Sequence, residues 1–365
     1  MPVTATDYSY MSRALQLAQK GLYTTDPNPR VGCVIVKDGE VVAEGWHERS
    51  GEPHAEVHAL QQAGDKASDA TVYVTLEPCC HHGKTPPCSD ALVNAKVSRV
   101  VVAMQDPHSR VAGQGLQQLR EAGIEVEVGV LETQARALNP GFIKRMQSGR
   151  PYVRNKLAMS LDGRTAMASG ESKWITSDAA RLDVQRLRAR SSAILTGVGT
   201  VLADDPSMTV RLDEAERQPL RVVLDTHLSM PTNAKLLQQA GRTLVMTCSE
   251  DEEAKEALEQ AGAEVICTPF HSNTVDMQAV LDTLGEMEIN EVLLETGATL
   301  SGAMLKAGLI DELVIYMAPV LMGDNARGLF RLPGLDSMEQ KIQLNISDIR
   351  AVGQDWRIIA TVDRS

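Results

Sequence analysis

The sequence predicts an α/β protein built from two consecutive domains. Three observations carry that expectation. Strand-like and helix-like patterns alternate along the chain, as they do in layered α/β domains. A length of 365 residues exceeds the ~150 residues of one average domain. The run Ser148-Gly149-Arg150-Pro151 interrupts the alternation, which places the domains at residues 1–148 and 149–365.

Each element has a local reason. Met11, Ala14, Leu15 and Ala18 recur at helical spacing. Residues 31–36 and 41–46 read as strands joined by Lys37-Asp38-Gly39-Glu40, because Asp-Gly accepts the positive φ of a tight hairpin. A helix is expected at 54–63, strands at 71–75, 99–103 and 125–128, and helices near 89–95 and 115–122. After the linker, strands are expected at 152–157, 192–196, 221–224, 243–246, 264–266, 292–294 and 313–318. Helices near 178–188, 252–260, 277–286 and 299–307 fall between several of them, and 342–349 with 356–362 reads as a terminal antiparallel pair.

Composition narrows the function. The chain is 43% hydrophobic and 23% charged, ordinary for a folded protein; with 3% aromatic residues its core must be aliphatic and rich in methionine. No apolar run approaches the ~18–20 residues of a membrane span. The first ten residues are polar, so a cytoplasmic protein with no membrane partner is expected. Acidic side chains outnumber basic ones, 48 to 36, for a net charge of −12. That argues against a nucleic-acid partner, which requires clustered positive charge.

Three of the six cysteines, Cys79, Cys80 and Cys88, crowd together, which reads as metal or redox chemistry rather than a disulfide framework. His54-Ala55-Glu56 opens a helix, Pro78-Cys79 follows a strand, and Cys88 comes later. One His and two Cys leave a zinc ion an open position for water. A carboxylate beside the metal that does not bind it can carry protons, so the candidates are His54, Cys79 and Cys88 for zinc, one ion per chain, and Glu56 for catalysis. His-x-Glu followed by Pro-Cys and a second Cys is the pattern of zinc-dependent nucleobase deaminases. Both cysteines are expected at or near a helix start, where the dipole favours thiolate.

The separation of the two cysteines is wider than in that pattern, and Cys80 remains an alternative to Cys79, which is preferred because it directly follows Pro78. A closed structural zinc site using Cys79, Cys80, Cys88 and a histidine is a further reading. A zincin-like use of His54 and His58 is opposed by Ala55, which stands where zincins need Glu. Asn28 lies between Pro27 and Pro29, rigid and able both to donate to and accept from a base, or a simple turn cap. His81, His82 and Lys84 could meet a phosphate or form a solvated loop. In the second half, Thr196-Gly197-Val198-Gly199-Thr200 and the stretch 295–302 follow strands. Backbone N–H groups there can hold a pyrophosphate, although neither stretch matches GxGxxG.

The runs Gly51-Glu52-Pro53-His54-Ala55-Glu56-Val57-His58 and Thr75-Leu76-Glu77-Pro78-Cys79, with His81 to Cys88, resemble the bifunctional riboflavin-biosynthesis deaminase–reductase (RibD) family. So do Lys156 to Gly163, Trp174-Ile175-Thr176, Gly199 to Pro206 and Thr209-Val210-Arg211. The long loop between the cysteines belongs to that family's pattern, which usually has Ser at the position of Cys80. The resemblance implies a cytidine-deaminase-like α/β/α layered domain followed by a dihydrofolate-reductase-like α/β domain that uses NADPH. It implies cofactor contacts from Ala158, Trp174, Thr200, Asp204, Thr226, Gly297, Ala298, Thr299, Leu300, Ser301, Gly302 and Ala303. Substrate contacts are implied for Asn28, Ser172, Arg188, Met208, Arg211 and Glu295, with Arg188 and Arg211 suited to a ribose phosphate. The implied substrate is a small-molecule pyrimidine ribotide, deaminated and then reduced in its ribosyl arm, with Asp204 or Glu295 managing a proton. A homo-oligomer, dimer or tetramer, is expected. The alternatives are a single-activity deaminase with an inactive reductase-like domain, a nucleic-acid-editing deaminase and a non-catalytic zinc module.

Overall fold

The computed structural model describes residues 3–80, 86–108, 112–271 and 274–363. It divides into two compact units, Met1–Gly149 and Arg150–Ser365.

The first unit runs α1 (Ala5–Ala18), β1 (Gly32–Lys37), β2 (Glu40–Trp46), α2 (Ala55–Ala63), β3 (Thr71–Val74), α3 (Cys88–Asn94), β4 (Arg99–Val102), α4 (Gln114–Glu121), β5 (Glu125–Val128), α5 (Glu132–Leu138) and α6 (Pro140–Ser148). Thr4 caps α1 with Asp7 in a capping box, satisfying backbone donors that would otherwise be orphaned. Asp38 and Gly39 both have positive φ, 53° and 81°, as the β1–β2 turn requires. The five-stranded sheet has the order β2-β1-β3-β4-β5, with β1 antiparallel to both neighbours and β3, β4 and β5 parallel.

Two glycines show why helices lie on both faces. Gly45 pairs with Cys33, the neighbour of Gly32, so Gly32 and Gly45 point to opposite sides of the sheet. A Cβ on Gly32 would lie 2.0 Å from the Ala14 carbonyl of α1, and one on Gly45 would lie 2.4 Å from the Ala55 carbonyl of α2. Gly45 thereby lets the first turn of α2, which carries Glu56, settle onto the sheet. The core between these layers is aliphatic, with Met11 and Met104 fully buried. Asp7 also ties α1 to the strands: Arg99 Nη1 lies 2.7 Å and the Tyr73 hydroxyl 2.8 Å from its Oδ1. Burial opposes the Asp7 charge, but the hydrogen bonds from Arg99, Thr4 and Tyr73 hold its carboxyl well below the usual range.

The second unit begins with β6 (Tyr152–Ser160), β7 (Arg164–Ala166), α7 (Asp178–Arg190), β8 (Ala193–Gly197), α8 (Val198–Asp204), β9 (Leu220–Leu224), β10 (Thr243–Thr247), α9 (Glu252–Gln260) and β11 (Glu264–Cys267). It continues with β12 (Phe270–His271), β13 (Thr274–Val275), α10 (Met277–Glu286), β14 (Glu291–Leu294), α11 (Ala298–Lys306), β15 (Glu312–Ala318), β16 (Arg327–Gly328), β17 (Leu344–Val352) and β18 (Asp355–Val362). Its nine-stranded sheet has the order β11-β10-β9-β8-β14-β6-β15-β18-β17. The strands from β11 to β15 are parallel, and β15, β18 and β17 are antiparallel. Leu195, Val222 and Leu244 belong to one core cluster and Ile194, Val223 and Val245 to another. Burial of both faces explains why these strands read as unbroken apolar runs.

Three local features depart from the sequence expectation. The stretch 196–200, expected as a glycine loop, instead leads into helix α8 at Val198–Asp204 with Gly197 as its N-cap, so Gly199 lies inside a helix. Helices α5 and α6 fill a stretch for which no element is expected from the sequence; Pro140 occupies the first turn of α6, where a missing N–H costs nothing. Cys79 lies outside any helix, whereas Cys88 opens α3.

Candidate active sites

In the first unit, His54 is the N-cap of α2 and Glu56 sits in the first turn. Cys79 follows β3, and its backbone is tied to α3: its carbonyl accepts from the Ser89 N–H at 3.1 Å and from the Ser89 hydroxyl at 3.0 Å. This docks Cys79 against Cys88 regardless of the intervening loop. His54 Nδ1 lies 3.3 Å from Cys88 Sγ and 3.6 Å from Cys79 Sγ, and all three donor atoms lie within 4.8 Å of one another.

The donor set fits zinc. Zn–S and Zn–N bonds of about 2.3 and 2.0 Å in a tetrahedron separate the N and S donors by roughly 3.5 Å. The electrostatics point the same way. The Cys88 side chain hydrogen-bonds to Cys79 and pulls its thiol down, helped by His54 and by the Cys88 backbone N–H 3.3 Å from Sγ. Cys88 is pushed up by sharing that hydrogen bond, by burial and by the charges of Glu56 and Cys79. A dication held there would offset the charge of both thiolates. Among the described residues Cys80 does not join the cluster; its Sγ faces Gln114 Oε1 at 3.8 Å. His81, His82 and Lys84 lie outside the described residues.

Glu56 is 3% exposed. Burial pushes its carboxyl up to about 7, with His54 opposing and the charge of Cys79 adding. Asn28 Nδ2 lies 3.1 Å from His47 Nε2, and His47 Nδ1 lies 3.1 Å from the Pro53 carbonyl. A carbonyl can only accept, so Nδ1 carries the His47 proton, Nε2 accepts from Asn28, and the orientation of the Asn28 amide is set. The His47 and His54 rings meet edge to face at 5.4 Å, which links Asn28 to the metal-type cluster. His47 stands in the sequence run that resembles the family, but spacing alone assigns it no role, because a lone histidine after a strand carries no ligand signal.

In the second unit the parallel strands β8, β9 and β14 end at Gly197, Leu224 and Leu294. Residues 197–204, 225–227 and 295–300 therefore emerge along one edge of the sheet, where α/β sheets bind ligands. Thr200 and Asp204 lie on α8, and Thr226 follows β9, with its carbonyl 3.3 Å from Thr247 Oγ1. Ala158 is on β6, opposite Tyr316. Gly297 caps α11 with no side-chain hydrogen bond, so backbone donors of Ala298 and Thr299 face outward from the first turn. Leu300 packs against the core. Ser301 and Gly302 are turned inward: Ser301 is fully buried near Asn155, and a Cβ on Gly302 would meet the Arg331 carbonyl at 2.1 Å. Ala303 follows them within α11.

Ser172 and Trp174 lie between β7 and α7. Trp174 is 72% exposed beneath the Arg181 guanidinium at 4.7 Å, and Lys173 reaches Asp204 Oδ1 at 3.4 Å. Met208 is buried in the core beside Ile194 and Val223.

The two arginines expected at a phosphate both reach Thr209 but differ in pairing and exposure. Arg188 forks onto Glu295, with Nε and Nη2 at 2.6 and 2.9 Å from the two carboxylate oxygens, while Nη1 donates to the Thr209 carbonyl at 2.9 Å. Arg211 is exposed, and its Nη1 lies 3.3 Å from Thr209 Oγ1. Lys156 Nζ lies 3.7 Å from Glu295. Burial opposes the Glu295 charge, but Arg188 and Lys156 outweigh it and bring the carboxyl down to about 2. Glu295 is thus a fixed anion, unsuited to donating a proton at neutral pH. Lys156 had one available signal, as part of the polar run Arg154-Asn155-Lys156 inside a strand.

Comparison with known proteins assigns both units. Residues 4–104 match the cytidine and deoxycytidylate deaminase zinc-binding region, and residues 151–358 match the RibD C-terminal domain. The riboflavin biosynthesis protein RibD of Escherichia coli K12 is 53% identical over 96% of this chain and 97% of its own length. The chain belongs to the RibD family. The structure of Acinetobacter baumannii RibD superposes with a TM-score of 0.92 at 48% identity, covering 98% of this chain and 99% of that one. A Thermotoga maritima structure described as a diaminohydroxyphosphoribosylaminopyrimidine deaminase/5-amino-6-(5-phosphoribosylamino)uracil reductase has a TM-score of 0.85 at 34% identity, covering 98% and 99% of the two chains. The RibD fold here is a cytidine-deaminase-like unit followed by the family's reductase unit. The chain is a bifunctional riboflavin-biosynthesis enzyme, a zinc-dependent deaminase and an NADPH-dependent reductase. Similarity across both halves disfavours a single-activity deaminase. No helix among the described residues is long and apolar enough to cross a membrane.

Proposed function

We propose that the two units act successively on one pyrimidine ribotide. The first hydrolyses the exocyclic 2-amino group of 2,5-diamino-6-hydroxy-4-(5-phosphoribosylamino)pyrimidine, consuming water and releasing ammonia. The second reduces the ribosyl arm to ribityl, giving 5-amino-6-(5-phosphoribitylamino)uracil. The observation that carries this reading is buried Glu56 beside the converging donors His54, Cys79 and Cys88. Zinc held by those three supplies Lewis-acid activation of water. Glu56 takes a proton and returns it to the departing amine, a role suited to a carboxyl whose pKa lies near neutrality. Asn28, with one amide N–H committed to His47, keeps its Oδ1 and its second N–H for the base.

In the reductase unit, NADPH supplies the hydride when bound. The first turn of α11 and the start of α8 present backbone N–H groups to its pyrophosphate. Glu295 stays anionic between Arg188 and Lys156 and orients the sugar arm by accepting hydrogen bonds. Asp204, paired with Lys173, is left as the carboxylate for proton handling, and Arg211 takes the phosphate. Losing that charge-assisted contact in Arg211→Ala costs ~1.5–3 kcal/mol, roughly 10–150-fold. The loss is expected in the reductase KM, with NADPH affinity unchanged. Weakened NADPH binding with an unchanged substrate KM would move Arg211 to the cofactor site.

Residues 1–148 and 149–365 are proposed as separable domains, since each unit has its own core. Expressed apart and given the ribotide, the first is expected to release ammonia without NADPH, and the second to oxidise NADPH only with deaminated substrate. Product masses read both steps. Ammonia release from the second half alone would overturn the division of labour.

A cytoplasmic location agrees with six free cysteines. A homo-oligomer agrees with the exposed outer strand β17, which pairs only with β18 and carries exposed Ile346 and Ile349, the kind of edge that proteins cover. A monomeric mass in solution would remove that part of the proposal.

A further inference from the structure

We propose that Asn139 is a positioning residue for the deaminase: through the backbone of Arg30 it holds the segment that presents Asn28. The proposal rests on the reading of Asn28 as a substrate contact. Asn139 lies at the junction of α5 and α6, is 3% exposed, and sits beyond the matched deaminase region of residues 4–104. Its Oδ1 accepts from the Arg30 N–H at 2.8 Å and its Nδ2 donates to the Arg30 carbonyl at 2.9 Å. One side-chain amide thus does for Arg30 what a neighbouring strand would do, satisfying both backbone groups at a buried position just before β1. Arg30 Nη1 reinforces the contact by donating to the Leu138 carbonyl at 2.9 Å.

Asn139 is itself well anchored. Its N–H donates to the Arg136 carbonyl at 3.1 Å and its carbonyl accepts from the Ile143 N–H at 3.0 Å, so the amide extends from the frame of two helices. At the other end of the segment, the Asn28 N–H donates to the Thr25 carbonyl at 2.8 Å. The Asn28 side chain is therefore aimed by three restraints: the Thr25 turn before it, the Asn139 clasp after it, and His47 at its amide. Of these, only the Asn139 clasp comes from the helices that close the unit. The α5–α6 addition is accordingly part of the deaminase rather than a spacer.

The test uses the full-length chain and reads ammonia release, zinc content and reduction of already deaminated substrate. Asn139→Ala removes the two hydrogen bonds that the side-chain amide makes with the Arg30 backbone. It is expected to raise the deaminase KM on the order of 10-fold, with zinc content and reductase rates unchanged. In an Asn28→Ala background the same change is expected to add nothing, because positioning residues couple non-additively to what they position. If Asn139→Ala does not fold, Asn139→Asp keeps the acceptor for the Arg30 N–H but turns the donor into a carboxylate oxygen facing the Arg30 carbonyl, and a rise in the same KM is again expected. A normal KM in the variant that folds, or an additive loss in the double variant, overturns the role of Asn139 while leaving Asn28 in place. Near-normal deamination by Asn28→Ala overturns the reading of Asn28, and the positioning role falls with it.

Discussion

Glu56→Gln is expected to abolish deamination, by ~10²–10⁴-fold, while zinc content stays unchanged. Glutamine preserves the volume of a side chain that is 3% exposed and hydrogen-bonded to Cys88. It removes no ligand, because the converging donors are His54, Cys79 and Cys88. What it removes is a group able to accept a proton and release it near neutral pH. In the proposed mechanism the same carboxylate serves both the attack of water and the departure of ammonia, which places the expected loss at the upper end of that range. NADPH-dependent reduction of deaminated substrate is expected to be untouched. Near-normal ammonia release from a zinc-loaded Glu56→Gln chain would remove Glu56 from the chemistry.

Cys79→Ser is expected to lose zinc and all deaminase activity, and Cys80→Ser to lose neither. The two residues are adjacent but differently placed. Cys79 Sγ receives the Cys88 N–H and faces His54 Nδ1, interactions that favour a thiolate, whereas Cys80 Sγ faces a glutamine oxygen and its thiol is raised by burial and by the charge of Glu77. A serine hydroxyl at position 79 cannot supply the anionic ligand that a two-thiolate zinc site needs. Metal analysis of the two variants, with ammonia release alongside, separates them. Zinc lost from Cys80→Ser and retained by Cys79→Ser would reverse the ligand assignment.

Local pattern made much of the fold legible. The Asp-Gly turn, the apolar strand runs and the helical periodicity of 252–260 and 277–286 match β1–β2, α9 and α10 because each depends on neighbours in the chain. The deaminase constellation was legible for a related reason. His54 caps and Glu56 sits in the first turn of one helix, and Pro78-Cys79 follows one strand, so spacing alone encodes much of their geometry.

Elsewhere local cues misled. The glycines of 197–199 read as a loop but open α8, and the stretch that forms α5 and α6 carried no expected element.

By itself the sequence determined the two-domain α/β plan, the His-x-Glu and Pro-Cys chemistry, and the resemblance to the RibD family, all written in short runs. Only the tertiary structure decided which partners those runs meet. It set Cys79 rather than Cys80 against Cys88, joined Arg188 and Lys156 to Glu295, aimed Asn28 through His47, and closed Asn139 onto Arg30. The reason is physical. Periodicity and capping act over a few residues, whereas an ion pair or an amide clasp joins groups far apart in the chain, and its existence depends on the strand order that brings them within ~3 Å.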